Sequence, residues 1–478
     1  MTAYEERFMS SLIKKARHTL VGDRAFYRVL LAIVVPVIIQ NGISNFVNLL
    51  DNLMVGALGD AQMSGVSIAN QLIFIFNLTI FGGLAGPGIF GAQFYGAGDI
   101  AGLRNTFRIK LLESLALLAL AFVALIGFNE PLISIFLQGD GDPAMAQAML
   151  RDSQNYLAVM LFGLPAFALT QCYAGTLREM GETRLPMVAS VTAVVTNALF
   201  NYLLIFGKLG LPRLEVVGAA LATVISRYVE LGIVMVFTHK NHARFSFIEG
   251  AFKNLRVPAV LTRKVLRMGA PLLVNELLWS IGVSTLTAAY SLCGLTVVSA
   301  LSITFTIANL FNSVYFSMGT AVSVMIGQDL GAGDFERAKG DVWRLMAFAV
   351  AVAAAMGLLL TLAAPLIPQA YSGVTEDVRQ TATRLLTVTA CAMPLYAYAH
   401  CSYFTLRSGG KTVITFLFDS GYTWVISVPL ALLMVRVVQA DVIVCYAAVE
   451  GANLIKCILG YCFIRSGSWI QNLTHITD

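Results

Sequence analysis

Near-continuous apolar stretches, each long enough to cross a bilayer as a helix of about 20 residues, recur along the whole chain. They constrain the fold more than any other feature. Twelve are present, centred near residues 40, 75, 118, 165, 196, 227, 279, 311, 353, 394, 421 and 453. Only 12% of the 478 residues are charged, whereas a soluble domain carries roughly 25%. Water therefore cannot be the main solvent of this chain.

The pattern within these stretches favours helices over a transmembrane β-barrel. Barrel strands alternate apolar and polar residues over short segments. Residues 111–127 read LLESLALLALAFVALIG and do not alternate. We therefore predict an all-α integral membrane protein with twelve transmembrane helices.

The charges outside the spans indicate how the chain is oriented. The amino-terminal segment, the loops after even-numbered spans and the tail carry most of the 32 lysines and arginines. The loop from Asn129 to Asp152, on the opposite side, is mainly acidic. By the positive-inside rule, we expect both termini in the cytoplasm and a multi-pass protein of the cell (inner) membrane. This topology accounts for the net charge of +5 without a nucleic-acid partner.

The chain contains an internal repeat. Residues 93–99 read QFYGAGD, and 235 residues later residues 328–334 read QDLGAGD. The same shift aligns Pro36 with Pro271, and a second block, residues 176–183, recurs at 405–412 with a shift of 229. Because each half holds six spans, an even number, both copies enter the membrane from the same side. This predicts two parallel six-helix bundles related by a pseudo-twofold axis.

The repeat and the loop composition predict five parts of the chain. These are a cytoplasmic amphipathic segment (1–28), an N-lobe with helices 1 to 6 (29–238), a cytoplasmic linker (239–264), a C-lobe with helices 7 to 12 (265–465) and a cytoplasmic tail (466–478). Two bundles that face each other leave a cleft along the axis, and rocking of the halves would give alternating access. This is the architecture of a transporter.

The repeated Gly-Ala-Gly-Asp sequence is interpreted as a structural turn, with a role in gating as the alternative. It follows the second span of each half. Glycine can take a positive φ at the end of a helix, and aspartate can cap the start of the next one. The residues of the two predicted turns are Gly96, Gly98, Asp99, Gly331, Gly333 and Asp334.

Several motifs together resemble the multidrug and toxic compound extrusion (MATE) family, of the bacterial type. They are the repeated Gln-x-x-Gly-Ala-Gly, residues 50–56 (LDNLMVG), residues 197–207 (NALFNYLLIFG) and residues 218–223 (GAALAT). The resemblance covers nearly the whole chain. It implies export of cationic or amphipathic organic compounds in exchange for protons or sodium. We expect a monomer in the lipid bilayer that acts on small organic compounds and has no cofactor besides the coupling ion.

A polar stripe on the first span carries the first candidates for ion and substrate binding. Its members, spaced by three or four residues and hence on one helix face, are Asn41, Asn45, Asn48 and Asp51. An ionisable group inside a span is costly, so Asp51 is a functional candidate by default. In the resembling family, the matching aspartate is a cation or proton site. The alternative is that the stripe only holds helices together.

Two asparagines in the fifth span complete the predicted site. Asn197 and Asn201 are four residues apart and therefore share a helix face. Asp51 could take up a proton, or its oxygens and those of the two asparagines could hold a hard cation such as sodium. Some relatives have a second aspartate where this chain has Asn201, so this site carries one charge less.

The second half has its own candidates inside spans. Glu276 is predicted to bind a cation or substrate, although family members place their glutamate later in this span. Asp419 is a cavity candidate. His400 could relay protons, or it could be a core histidine whose hydrogen bonds are satisfied within the protein. Arg227 and Lys456 match under the shift of 229. They either form ion pairs, or face the cavity, where they would bind an anionic group or pair with Asp51 or Glu276 as a switch.

Other function classes fit the sequence less well. A flippase for lipid-linked saccharides, of the same superfamily, would use Arg227 and Lys456 for pyrophosphate, but its cleft should be strongly basic. An enzyme is not expected, because no catalytic grouping is legible. The sequence thus predicts a secondary active antiporter for multidrug efflux, and it does not choose between proton and sodium coupling.

Overall fold

The structure is a computed structural model that describes residues 20–137, 143–371 and 374–475. Most of the predicted amphipathic segment at residues 1–28 and the last three residues of the predicted tail lie outside the described residues. The predicted domain bounds remain a prediction.

Long helices make up most of the described chain. In order they are α1 (Arg24–Gly56), α2 (Asp60–Gly96), α3 (Ile100–Gly127), α4 (Asn129–Ser134), α5 (Pro143–Met160), α6 (Gly163–Glu179), α7 (Arg184–Phe206), α8 (Glu215–Lys240), α9 (Ala259–Ser291), α10 (Leu295–Ala332), α11 (Phe335–Ala363), α12 (Glu376–Ser408), α13 (Thr412–Val438) and α14 (Val442–Ser466). Short 3-10 helices cover Ile135–Leu137, Ser246–Ile248 and Ile367–Ala370.

Each predicted span corresponds to a helix or to a bent helix pair. Within the described residues, ten helices are long and apolar enough to cross a membrane, and the pair α5 and α6, bent by 48°, would be an eleventh span. Helix α12 is as long as its neighbours but mixes threonine, tyrosine and histidine with its apolar residues, so it is less hydrophobic. The predicted all-α membrane class is confirmed.

Large apolar side chains remain exposed on the spans. Leu120, Val123 and Val425 keep 64%, 65% and 75% of their surface accessible. Exposure on this scale would be unfavourable in water, whereas in a bilayer these side chains lie in hydrocarbon. The surface of the folded chain therefore fits a protein of several membrane spans.

The helices form two compact units, each with its own core. Among the described residues, unit 1 comprises residues 20–38, Ala92–Gly98 and the chain from Val274 onward, and unit 2 comprises Ile39–Gly91 and Asp99–Leu273. The most buried core residues of unit 1 include Leu30, Val322, Leu345, Met393 and Trp469. Those of unit 2 include Ala69, Ile80, Leu157, Leu164 and Ile205.

Helix α13 departs from regular α-helical geometry. It contains π-helical turns at Leu417–Gly421, Thr423–Ser427 and Met434–Val438. Such turns place an extra residue in the helix and occur frequently at functional sites. The first one carries Asp419.

Candidate ion and substrate sites

Unit 2 brings Asp51 on α1 together with two asparagines on α7. Nδ2 of Asn201 donates a hydrogen bond to Oδ1 of Asp51 at 2.5 Å. With its amide oxygen toward Thr223, Asn197 places its nitrogen 3.0 and 2.9 Å from the two carboxylate oxygens of Asp51. Both asparagines are buried. The three predicted residues therefore form one site.

The carboxylate of Asp51 has polar neighbours and, among the residues that the structure describes, no basic partner. In the part of the chain that the structure describes, no lysine or arginine forms an ion pair with Asp51. Oδ1 of Asn201 is buried without a hydrogen-bond partner among these residues. A carboxylate beside an unused amide oxygen offers the ligands that a hard cation prefers.

The structure gives less information on the other members of the polar stripe. Asn41 and Asn45 are partly buried on α1. The side chain of Asn48 lies outside the described part of the chain. Their role in substrate binding stays a prediction.

Unit 1 contains a second polar cluster, centred on Asp419. Nζ of Lys456 on α14 lies 2.6 Å from Oδ1 of Asp419, and Nδ2 of Asn275 on α9 donates to Oδ2 at 3.1 Å. The hydroxyl of Ser420 donates to Oδ1 of Asn275 at 2.7 Å. Lys456 thus forms the ion pair that the sequence left as one of two alternatives. The charge of Asp419 is compensated within the protein.

Glu276 follows Asn275 on α9 and lies close to this cluster. Its charged neighbours are Arg407 and Asp419. The preceding residue, Asn275, donates a hydrogen bond to the hydroxyl of Tyr403 at 3.3 Å. Glu276 therefore belongs to a mixed-charge network, and its predicted role in cation or substrate binding stays a prediction.

His400 lies in an aromatic cluster of unit 1. Its ring centroid is 5.7 Å from that of Tyr315, 5.3 Å from Phe316 and 4.8 Å from Phe404. Its Nε2 is buried without a hydrogen-bond partner among the described residues. The proton-relay role stays a prediction.

Arg227 has different surroundings from Lys456, its match in the repeat. The guanidinium carbon of Arg227 lies 4.8 Å from the ring centroid of Phe167, in a cation–π contact. Tyr156 and Glu230 are close enough to interact electrostatically with Arg227. Lys456 also lies over an aromatic ring, that of Phe418 at 5.3 Å, so the two residues differ, among the described residues, in that Lys456 forms an ion pair and Arg227 does not.

The predicted turns are tight and capped. Gly98 and Gly333 have φ of +74° and +78°, a conformation that glycine adopts without strain. Asp99 accepts a hydrogen bond from the backbone N–H of Gly102 at 2.8 Å, and Asp334 accepts one from that of Arg337 at 3.1 Å. Each aspartate thus satisfies an open donor at the start of the following helix.

Comparison with known proteins agrees with the repeat and the helices. Residues 36–203 and 271–433 match the family model described as MatE, one match in each half and together more than half of the chain. The chain belongs to the MatE family.

Relatives of this MatE protein extend over nearly its whole length. It is 23% identical to the probable multidrug resistance protein NorM of Thermotoga maritima. The alignment spans 448 residues, which is 92% of this chain and 92% of the relative. It is 24% identical over 433 residues to the probable multidrug resistance protein YoeA of Bacillus subtilis, covering 89% of this chain and 91% of the relative.

Solved structures show the fold of this MatE chain. One described as MATE in the straight conformation has a TM-score of 0.83 at 20% identity and covers 95% of this chain and 98% of that one. An outward-facing multidrug resistance MATE transporter of the MOP superfamily has a TM-score of 0.81 at 20% identity, covering 94% and 96%. The predicted twelve-helix fold is confirmed.

Sequence reasoning missed a buried ion pair in unit 2 of this MatE protein. Nζ of Lys110 lies 2.6 and 2.7 Å from the two carboxylate oxygens of Glu179 and 2.8 Å from Oγ1 of Thr176. All three protons of the ammonium group thus have acceptors. Lys110 lies about ten residues after the start of an apolar helix. A charged residue inside a span is the sequence feature from which this ion pair could have been predicted.

A buried glutamate on α14 of unit 1 was also missed. The hydroxyl of Tyr396 donates to Glu450, and Nδ2 of Asn453 donates to it at 3.3 Å. Tyr290 and Tyr315 are electrostatic neighbours of this carboxylate. Glu450 lies inside an apolar span, a signal like the one that led to Glu276.

Proposed function

We propose that this MatE protein is a secondary active antiporter that exports cationic or amphipathic organic compounds, by multidrug efflux, in exchange for protons or sodium. Alternating access of two lobes would couple the two movements. Family membership supports this function, as do relatives named as probable multidrug resistance proteins. The proposal includes a monomer in the inner membrane with both termini in the cytoplasm, in agreement with the distribution of lysine and arginine.

The observation that carries the proposal is the uncompensated carboxylate of Asp51. Asparagine amides hold it, and no ion pair involves it among the described residues. A charge buried inside a span is unfavourable unless it is paired or neutralised. A proton on Asp51 would neutralise it, and sodium bound by Asp51 and the unused oxygen of Asn201 would compensate it. Asp419 is a weaker candidate, because Lys456 already compensates it.

The surroundings of Glu450 support organic cations as substrates. A carboxylate bordered by tyrosine rings combines two groups that attract a desolvated organic cation, a negative charge and aromatic faces. Tyr396 hydrogen-bonds Glu450, and its ring stacks on that of Tyr315 with 6.3 Å between centroids. We assign Glu450 and these tyrosines to substrate recognition in this proposal.

A flippase for lipid-linked saccharides is not favoured. Pyrophosphate recognition needs basic side chains that are free to bind oxygen anions. Lys456 is engaged with Asp419, and the guanidinium of Arg227 lies over Phe167. Lys456 is therefore not free to bind an anion, and Arg227 alone does not make the open basic cleft that a flippase of this superfamily would need.

Purified protein in liposomes tests the proposal. With ethidium as the organic cation, an imposed gradient of protons or of sodium should drive ethidium movement without ATP. Liposomes with no gradient, and gradients collapsed by an ionophore, serve as controls. Transport that requires ATP, or no transport under either gradient, would contradict the proposal.

A further inference from the structure

The two copies of the Gln-x-x-Gly-Ala-Gly-Asp motif pack against each other within unit 1. A Cβ atom on Gly96 would collide with the backbone of Gln328, and one on Gly331 would collide with the backbone of Gln93. The contact is reciprocal, since the glycine of each copy faces the glutamine of the other. Helices α2 and α10 therefore cross here at backbone contact, which only glycine permits.

A segment after α14, residues 467–475, runs over this crossing. We call it the carboxyl-terminal strap. Its Trp469 is buried in the core of unit 1 and donates from Nε1 to the carbonyl oxygen of Ile464 at 3.1 Å. The carbonyl of Trp469 lies so close to Gly409 that a Cβ atom there would collide with it. The base of the strap is therefore anchored by apolar packing.

Gln93 fastens the far part of the strap. Its Nε2 donates to the carbonyl oxygens of Ser408 at 2.9 Å and of Gln471 at 3.2 Å. Its Oε1 accepts a hydrogen bond from the backbone N–H of Leu473 at 2.7 Å. The side chain of Gln93 is fully buried. One glutamine thus joins the end of α2, the end of α12 and the strap.

The strap also contacts the second copy of the motif. Nδ2 of Asn472 donates to the carbonyl oxygen of Gly331 at 3.0 Å. Oδ1 of Asn472 accepts from the backbone and hydroxyl of Thr474 at 2.9 and 2.6 Å, which holds the side chain in place. The strap is thereby hydrogen-bonded to both motif copies where α2 and α10 cross.

We propose that the carboxyl-terminal strap is a latch on the ends of α2 and α10, and that Gln93 must release it in each transport cycle. The proposal rests on the proposed function, because alternating access requires opening on the side that the proposed topology assigns to the cytoplasm. Hydrogen bonds suit such a latch, since water replaces them on release and each contributes little net free energy. Trp469 would keep the base of the strap in place while residues 471–473 move.

A reversible cross-link tests whether release is needed. Gln93→Cys and Leu473→Cys are introduced together in a chain whose exposed Cys391 and Cys462 are replaced by serine. Oxidation should lower gradient-driven ethidium transport in liposomes by at least about tenfold, because loop closure by a disulfide prevents release. A reductant should restore it. Equal transport rates in the oxidised and reduced protein would overturn the proposal.

A second pair controls for oxidation and cross-linking as such. The hydroxyl oxygens of Ser466 and Ser468 are 3.1 Å apart at the exposed base of the strap. A disulfide between Ser466→Cys and Ser468→Cys does not tie the strap to α2, so transport should not change. Loss of transport in this control, equal to that of the first pair, would also overturn the proposal.

A labelling experiment separates the latch from the proposed function, because it needs no transport. Ser408 is buried, and its carbonyl oxygen accepts a hydrogen bond from Gln93. A cysteine introduced as Ser408→Cys should react slowly with a maleimide, and Gln93→Met in the same chain should raise its labelling rate by about tenfold, since three hydrogen bonds are lost. Equal rates with and without Gln93→Met would overturn the latch, even if the protein transports ethidium.

Discussion

Lys456 on α14 and Asp419 on α13 form an ion pair, with 2.6 Å between Nζ and Oδ1. Their side chains are only 14% and 17% exposed. Opposite charges at this distance compensate each other, so this pair needs no external ion. Asp51 in unit 2 has no ion-pair partner among the described residues. The contrast favours Asp51 over Asp419 as the ion-binding carboxylate.

This pair predicts a strong coupling between two substitutions. Asp419→Asn alone or Lys456→Met alone leaves one buried charge unpaired, and we expect each to lower the free energy of unfolding by about 3–5 kcal/mol. The double variant should be close to wild type, because both charges are gone. Denaturation of detergent-purified protein measures this. The prediction would be contradicted if the double variant lost as much free energy of unfolding as the two single variants lose together.

The buried ion pair in unit 2 can be compared with an exposed ion pair that has the same nitrogen–oxygen distance. Lys110–Glu179 and Lys339–Glu336 both have 2.6 Å between nitrogen and oxygen, but Lys110 is 1% exposed and Lys339 is 48% exposed. We expect Lys110→Met to lower the free energy of unfolding by about 3–5 kcal/mol and Lys339→Met to change it by under about 1 kcal/mol. If chemical denaturation shows equal losses for Lys110→Met and Lys339→Met, the stabilising role given to the buried ion pair would be refuted.

The backbone crossing in unit 1 predicts that replacing Gly331 destabilises the protein. Gly331→Ala places a methyl group into the backbone of Gln93, and overpacking of this kind lowers stability by about 1–3 kcal/mol. The control is Gly451→Ala, at a helical glycine with open space around its Cβ position. It should be neutral or stabilising by up to about 1 kcal/mol. Thermal unfolding distinguishes the two, and identical melting temperatures would count against the crossing.

The proposed substrate site predicts a selective effect on affinity. Glu450→Gln removes the carboxyl group that could carry a negative charge beside a bound cation, but it keeps an acceptor for the hydrogen bond from Tyr396. We expect the KM for ethidium to rise about tenfold, since a desolvated charge pair and its aromatic neighbours contribute at least about 1–2 kcal/mol. The exposed Glu336→Gln should leave the KM unchanged. A Glu450→Gln variant with the wild-type KM would exclude Glu450 from substrate recognition.

Some of these contacts were accessible from the sequence and others were not. The four-residue spacing of Asn197 and Asn201 predicts that they share a face, and the family resemblance pairs them with Asp51. The hydrogen bond itself joins residues 150 positions apart and depends on how α1 packs on α7. The segments that form helices follow directly from the apolar stretches, because a chain in lipid satisfies its backbone within each helix.

The partners of Lys456 and of Gln93 could not be predicted from the sequence, for two different reasons. Asp419 lies in a π-helical turn, and the extra residue per turn changes the face on which helical periodicity would place it. Gln93 was recognised in the repeat, but its acceptors Ser408 and Gln471 are backbone carbonyls. Backbone groups leave no pattern in side-chain identity, so only the folded chain reveals them.

The most direct test of the ion-binding role compares wild type with Asp51→Asn in the same liposome assay. An asparagine is nearly isosteric but can neither take up a proton nor supply a negative charge to sodium. We predict that Asp51→Asn protein inserts and folds like wild type, by its melting temperature in detergent, yet loses gradient-driven ethidium transport. A folded Asp51→Asn protein that transports ethidium at the wild-type rate under the same proton or sodium gradient would contradict the account.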